Sequence, residues 1–405
     1  MARLPEVSSR GKAMPASPIR KLHSFAVQAQ EEGVHVFHLN IGQPDIKSPI
    51  ELLRGYREFS DPVLPYGPSA GLPVYIKKLV TYYERWGIPL AERDVFVTTG
   101  GSEAIILTLM AIADHGDEII IPEPFYTNYN GFAMMAGLSV KPVTTRLEDN
   151  FALPPLQELE RLIGSRTRAI VLCSPGNPTG AVFTREELEG VADIARRHGL
   201  FVIADEVYRE FVYDGKKHVS ILEIPGIDEH AIMVDSISKR YSACGARVGC
   251  IVSRNHDFLS SILRFGQARL CPPTVDQIAA ANAVDTPADY FAAVLEEYDC
   301  RRKLLHRRLS DMGVECKLPG GAFYMVARLP VADADHFATW LLKEHRHEGT
   351  TVMIAPANGF YATPGLGQNE ARLAYVLNCG DLDRAMDALA AGLEAYGEVG
   401  GTHGR

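Results

Sequence analysis

The sequence predicts an α/β protein: a large domain with a mainly parallel sheet between helices, joined to a smaller α+β domain. Three observations carry this expectation. Short apolar runs alternate with amphipathic helical patterns through the middle of the 405-residue chain, and such alternation builds parallel sheets covered by helices on both faces. After about residue 285 the texture changes to a long charged helix followed by separated strands and helices. A chain of this length with 46% hydrophobic residues buries a sizeable core, which divides between two domains. The expected divisions are an N-terminal segment, 1–45, that lacks a sheet-like run and packs on the smaller domain; a large domain, 46–285; a small domain, 286–397; and a glycine-rich, disordered tail, 398–405.

The elements follow in order. VFVTT (95–99) precedes the helical pattern SEAIILTLMAIADHG, and EIIIP (118–122) precedes a segment containing YNGFAMMAG. AIVLC (169–173) precedes TREELEGVADIARRHG, where Thr184 and Glu187 form a capping box. FVIAD (201–205), AIMVD (231–235) and RVGCIV (247–252) complete the apolar runs. A helix over roughly 288–312 leads to GVECKLPGGAFYMVARL, a helix near 333–347, ARLAYVLNC (371–379) and a final helix. Parallel sheets bind ligands where their carboxyl ends converge, and the polar motifs of the middle of the chain stand at such ends.

Composition narrows the class. The net charge is −9 with acids and bases interspersed, which disfavours nucleic acid as the main partner. Seven cysteines show no paired CxxC spacing, and several sit inside apolar runs such as VLCS and VGCIV, where the thiol behaves as a small hydrophobe. The N-terminus has no apolar signal core, and no run approaches the roughly 18 apolar residues of a membrane span. A soluble, cytoplasmic protein without a membrane partner or a metal is expected.

The chemistry is written strand end by strand end. SISKRYSACGARVG (236–249) sets Lys239 just after an apolar strand, with Arg247 eight residues on. Lysine is rarely buried without a partner, and when it is, the amine becomes a nucleophile able to form a Schiff base; the plain alternative is a lysine snorkelling into water. TTGGSEA (98–104) places Gly100, Gly101 and Ser102 between strand and helix, where free N–H groups suit a phosphate. It is neither GxGxxG nor GxxxxGK[ST], which argues against a dinucleotide or a P-loop nucleotide. PEPFYTNY (122–129) offers Tyr126 to stack on a planar ring or to pack in the core. In SPGNPTG (174–180), Asn177 either binds a ligand oxygen or caps a turn. IADEVYREF (203–211) ends a strand on Asp205, with Tyr208 three residues later. An aspartate leaving an apolar strand needs a partner, which a protonated ring nitrogen or a helix N-terminus supplies.

One ligand takes all of these groups: pyridoxal 5′-phosphate, with its phosphate, flat ring, ring nitrogen, phenolic oxygen and aldehyde. The motifs SPGNPTG, ADEVY and SxSKxxxxxGxRxG, in this order, resemble those of the class I and II aminotransferases of fold type I, the aspartate aminotransferase family. The likeness runs from LNIGQPDI to ARLAYVLN. It implies that Lys239 forms the internal aldimine and shuttles the proton between carbons, that Asp205 holds the ring nitrogen protonated, and that Tyr208 and Asn177 bind the phenolic oxygen. It implies a stacking role for Tyr126 and phosphate roles for Ser236 and Arg247, with Ser238 a weaker candidate. It also implies that Arg372 in EARLAYV grips the substrate α-carboxylate, a residue otherwise read as half of a surface ion pair, and that the Gly42 backbone closes over the same carboxylate. Tyr66 in YGPSAG is expected to reach the phosphate in a neighbouring subunit, so a homodimer with shared sites follows.

The expected reaction moves an amino group between an L-amino acid and a 2-oxo acid by a ping-pong mechanism, with aspartate and 2-oxoglutarate as first choices. An acidic substrate needs a second cation. Some relatives use a lysine in the glycine turn, where this chain has Ser102. Arg20 in MPASPIRKL and Arg269 in FGQARLCPPT are the substitutes, each otherwise a surface or structural residue. Aromatic or aliphatic donors are the alternative, as is a C–S lyase or a cyclising enzyme on the same fold. An effector-binding regulator of this fold is disfavoured because no helix-turn-helix pattern precedes the motifs.

Overall fold

The computed structural model describes residues 5–402, with side chains described as far as residue 397. Among the described residues thirteen strands run in chain order: β1 (His35–His38), β2 (Val95–Thr98), β3 (Glu118–Glu123), β4 (Ser139–Thr144), β5 (Thr167–Cys173), β6 (Phe201–Asp205), β7 (Ala231–Ser236), β8 (Gly249–Val252), β9 (Glu315–Cys316), β10 (Tyr324–Arg328), β11 (Thr350–Met353), β12 (Ala355–Pro356) and β13 (Glu370–Ala374). Seven form the main sheet in the order β2-β8-β7-β6-β5-β3-β4. The pairs β3/β4, β3/β5, β5/β6 and β6/β7 are parallel, while β8 lies antiparallel to both β7 and β2. The fold is the expected mainly parallel α/β sheet, packed between helices.

This register brings the motifs together. Cys173 pairs with Asp205, and Gly249 pairs with both Ser236 and Thr98. The carboxyl ends of β2, β3, β5, β6 and β7 therefore lie on one edge. Because β8 runs the other way, its first residue shares that edge and delivers Arg247, two residues upstream. The sheet interior is apolar: Ile120, Ile170, Val202, Ile203, Ile232, Val234 and Ile251 are all fully buried, as a strand covered on both faces requires. The capping box forms, with the Thr184 hydroxyl accepting from Glu187 N–H at 3.2 Å and Glu187 Oε2 accepting from Thr184 N–H at 2.7 Å.

Three features depart from the sequence reading. Residues 35–38, in the segment read as lacking a sheet-like run, form β1, which pairs in parallel with β11; Val36 and Phe37 are buried, but the partner lies over 300 residues away. Ser139–Thr144 forms β4, unread because Lys141 and Pro142 interrupt its apolar pattern. Its place at the sheet edge tolerates both. The final helix, Cys379–Thr402, continues through residues 398–402, where a disordered tail was expected; residues 403–405 lie outside the described residues. Beside the main sheet stand β1/β11 and the antiparallel sheet β12-β13-β10-β9. Leu22, Ala26, Ala29 and Phe37 pack with Phe337, Leu341, Val352 and Leu389 in one apolar cluster. Among the described residues no helix is long and apolar enough to cross a membrane.

Candidate active site

The carboxyl edge of the sheet opens into a cavity of about 640 Å³. Lining it are Gly101 and Ser102, Tyr126, Asn177, Asp205 and Tyr208, Ser236, Ser238, Lys239 and Arg247, together with Gly42, Arg20 and Arg372. Gly100 is adjacent: a Cβ there would come 2.5 Å from Arg247 Nη2, and its φ of +78° belongs to the left-handed region. The helix Gly100–Ile112 begins at the cavity, so its free N–H groups and the positive end of its dipole sit beside the Arg247 guanidinium. The Ser236 and Ser238 hydroxyls lie 2.8 Å apart, and Ser236 caps the short helix Ile237–Arg240 that carries Lys239.

Lys239 Nζ donates to the Gly42 carbonyl at 2.8 Å and lies 3.7 Å from Cys244 Sγ. Its chain neighbour is clamped: Arg240 is buried, paired with Asp235 and, at 3.4 Å, with Glu210, and its guanidinium lies 4.4 Å from the Tyr82 ring centre. Tyr83 donates to the same Asp235 at 2.6 Å. A buried ion pair held by further hydrogen bonds cannot shift cheaply, so the lysine rises from a fixed base.

Asp205 is buried, accepting from Tyr129 Oη at 2.8 Å and from Val207 N–H at 3.3 Å. Burial pushes its carboxyl up to about 6 against those two hydrogen bonds, because no basic side chain among the described residues pairs with it. Arg372 presents the converse. It is 1% exposed, its Nη1 donates to Asn177 Oδ1 at 3.0 Å, its Nη2 donates to the Asn40 carbonyl, and Nε has no partner. The guanidinium is packed 4.5 Å from the Tyr324 ring centre and 5.0 Å from that of Phe360. No acidic side chain among the described residues pairs with it, and burial lowers its pKa. A buried carboxylate lacking a cation and a buried guanidinium lacking an anion face one cavity. Each is costly alone, and a ligand carrying both charges satisfies both.

Two of the expected residues stay out of the cavity. Arg269 ends the helix His256–Arg269 and is captured elsewhere: Nη2 donates to the Ser69 and Val97 carbonyls at 3.3 Å, and Nε stands 3.6 Å from Glu103. It supplies no cation to the cavity of its own chain. Tyr66 is 82% exposed, near the also exposed Val63 and Leu64. Sequence reasoning missed several residues that the fold adds. Tyr129 holds Asp205, Asn128 donates to Tyr126 Oη at 2.7 Å, and Tyr324 touches both Tyr208 and Arg372. Only for Tyr129 was there a local signal, three residues beyond Tyr126 on the helix Asn128–Ala136.

Comparison with known proteins agrees with this geometry. The family model described as "Aminotransferase class I and II" matches residues 34–389. The chain is 32% identical over 391 residues to the aspartate aminotransferase of Pyrococcus abyssi, covering 95% of this chain and 97% of that one. It is 30% identical over 392 residues to aromatic-amino-acid aminotransferase 2 of Thermococcus litoralis, again covering 95% and 97%. The aspartate aminotransferase of Thermus thermophilus, solved with maleate, superposes with a TM-score of 0.88 at 28% identity, covering 96% of this chain and all of that one. The chain belongs to the class I and II aminotransferases, and it is a transaminase that depends on pyridoxal 5′-phosphate. The residues present fit that cofactor. Asp205 lacks the cation that a protonated ring nitrogen brings, the helix start beside Arg247 and Ser236 is a ready anion site, and the Lys239 amine opens onto the same space.

Proposed function

We propose that this transaminase takes aspartate as its preferred amino donor and 2-oxoglutarate as acceptor, in ping-pong fashion, as a homodimer. One observation carries the acidic reading: besides Arg372, and Arg247 beside the phosphate site, the cavity holds a third guanidinium. Arg20 lines it as an exposed side chain, and among the described residues no acidic side chain pairs with it. With Arg247 given to the phosphate, Arg372 and Arg20 match two carboxylates. The Thermus relative solved with maleate, a dicarboxylate, supports the same reading.

Bound in this cavity, pyridoxal phosphate supplies an aldehyde that captures the amine and a conjugated ring that accepts electron density from Cα. The chain supplies the rest. Arg372, with the Gly42 backbone, holds the α-carboxylate in a fork-to-carboxylate pair, and Arg20 holds the distal one. Lys239 Nζ, once freed by the incoming amine, is the tethered base that takes the Cα proton and gives it back; tethering is what makes one base efficient for both transfers. Asp205 keeps a proton on the ring nitrogen. Its own carboxyl, raised chiefly by burial, ionises readily beside that cation. Tyr208 and Asn177 would bind the phenolic oxygen, Tyr126 would stack on the ring, and Gly100, Gly101, Ser102, Ser236 and Arg247 would hold the phosphate, with Ser238 a weaker candidate.

A donor panel with 2-oxoglutarate and oxaloacetate tests the substrate. Arg20 is exposed without substrate; with its segment closed over a bound dicarboxylate, Arg20→Ala is expected to lower kcat/KM for aspartate and glutamate by roughly two to four powers of ten, as loss of a charge-assisted pair of about 3–5 kcal/mol buried by that closure requires. Alanine and phenylalanine, with no distal charge, should be largely spared. Uniform loss across the panel, or a poor rate with aspartate in the parent enzyme, removes the acidic reading. An aromatic or aliphatic donor then takes its place, a reading favoured by the apolar lining of Ile19, Ile105 and Phe132 and by the Thermococcus relative.

The dimer is argued from Tyr66. An exposed phenol among exposed Val63 and Leu64 suits a partner's surface. If its hydroxyl meets the partner's phosphate, Tyr66→Phe weakens cofactor retention by about 1–2 kcal/mol. Hybrids of Tyr66→Phe with Lys239→Ala subunits test the sharing. Their one lysine-bearing site receives an intact tyrosine from the Lys239→Ala partner, so its retention should return to the parent level. Retention no better than in the Tyr66→Phe homodimer rules sharing out.

A further inference from the structure

Tyr324, the first residue of β10, lines the cavity without a role assigned above. Three of the site's groups converge on it. Its ring centre lies 4.5 Å from the Arg372 guanidinium, and its hydroxyl is 2.8 Å from that of Tyr208. The two rings meet edge to face, their centres 5.6 Å apart at 82°. A Cβ on Gly42 would come 1.7 Å from Tyr324 Oη, so a bare backbone at 42 is what admits the hydroxyl, and the Gly42 carbonyl in turn accepts from Lys239 Nζ. Tyr208 and Tyr324 are both nearly inaccessible, which leaves water little part in satisfying either hydroxyl.

A phenol has one proton. In the Tyr208–Tyr324 pair one hydroxyl donates and the other accepts. A Tyr208 that donated to Tyr324 would have no proton left for a ligand. We infer that Tyr324 is a positioning residue: it donates to the Tyr208 oxygen and so turns the Tyr208 proton toward the cofactor's phenolic oxygen. This rests on the reading of Tyr208 given above. A hydroxyl that accepts one hydrogen bond donates a stronger one. The stronger bond draws charge from the phenolic oxygen, which then holds a proton on the linked Lys239 nitrogen less tightly. Tyr324 thereby keeps that nitrogen easier to deprotonate, while its ring, packed on Arg372, is unaffected by loss of the hydroxyl.

The test is a spectrophotometric pH titration of the lysine-linked cofactor in the holoenzyme, for the parent, Tyr208→Phe, Tyr324→Phe and the double variant. Phenylalanine preserves both rings, and circular dichroism checks the fold. Tyr208→Phe is expected to move the transition to higher pH. Tyr324→Phe should move it the same way by about 0.1–0.7 pH units, the 10–30% by which one hydrogen bond strengthens a charge-assisted neighbour. The double variant should titrate like Tyr208→Phe, because Tyr324 acts only through Tyr208. A Tyr324→Phe titration that overlays the parent overturns the inference, as does a shift that persists in full on the Tyr208→Phe background. A Tyr208→Phe curve identical to the parent's removes the Tyr208 reading and this inference with it.

Discussion

Lys239→Ala is expected to give a folded protein that holds pyridoxal phosphate only non-covalently and turns over at least about 10²–10⁴-fold more slowly, the contribution of a positioned base. The fold should survive because the lysine's own contacts are few. Its amine makes one good hydrogen bond, to the Gly42 carbonyl, whereas the clamp beneath it belongs to Arg240 and Asp235. The phosphate, ring and carboxylate contacts proposed for the neighbouring residues remain, so the cofactor still binds. Borohydride reduction followed by peptide mass analysis reads the result. The parent should carry the cofactor's mass on the peptide containing Lys239, and the variant should carry it nowhere. Reduced cofactor found on another lysine of the variant would mean that the anchor has been misplaced.

Arg372→Met should cost nearly as much, and in a different pattern. Methionine keeps an unbranched chain between the Tyr324 and Phe360 rings but removes the fork that meets a carboxylate. A closed site with an unpaired α-carboxylate loses about 3–5 kcal/mol, or roughly two to four powers of ten in kcat/KM. Every α-amino acid carries that carboxylate, so aspartate, alanine and phenylalanine should fall together. This contrasts with the selective loss expected from Arg20→Ala. The free protein should lose little stability, since the substitution also removes a buried cation with no acidic partner. A donor panel on the two variants separates the roles, and an Arg372→Met enzyme that keeps its kcat/KM for alanine would show that the α-carboxylate is held elsewhere.

The sequence by itself determined the strand-end chemistry. Gly100, Gly101 and Ser102, Asn177, Asp205 and Tyr208, and Ser236 with Lys239 each sit within a few residues of an apolar run, so local pattern locates them. A parallel sheet then gathers such ends onto one edge without further information. The same locality made the capping box at Thr184 legible, and made β4 illegible, because Lys141 and Pro142 break its alternation and only an edge position permits them. Tertiary structure decided what depends on distant partners. It placed β1 beside β11, reversed β8 so that Arg247 meets the glycine turn, and buried Arg372 between Tyr324 and Phe360. It brought Arg20 into the cavity and turned Arg269 onto Glu103. Tyr129 and Tyr324 belong to the same class, for a tyrosine in an apolar run reads as core until the hydroxyl it meets is known. Periodicity and turn chemistry act over a few residues and leave their mark in the sequence, whereas a pairing across hundreds of residues is chosen by packing of the whole chain and leaves none.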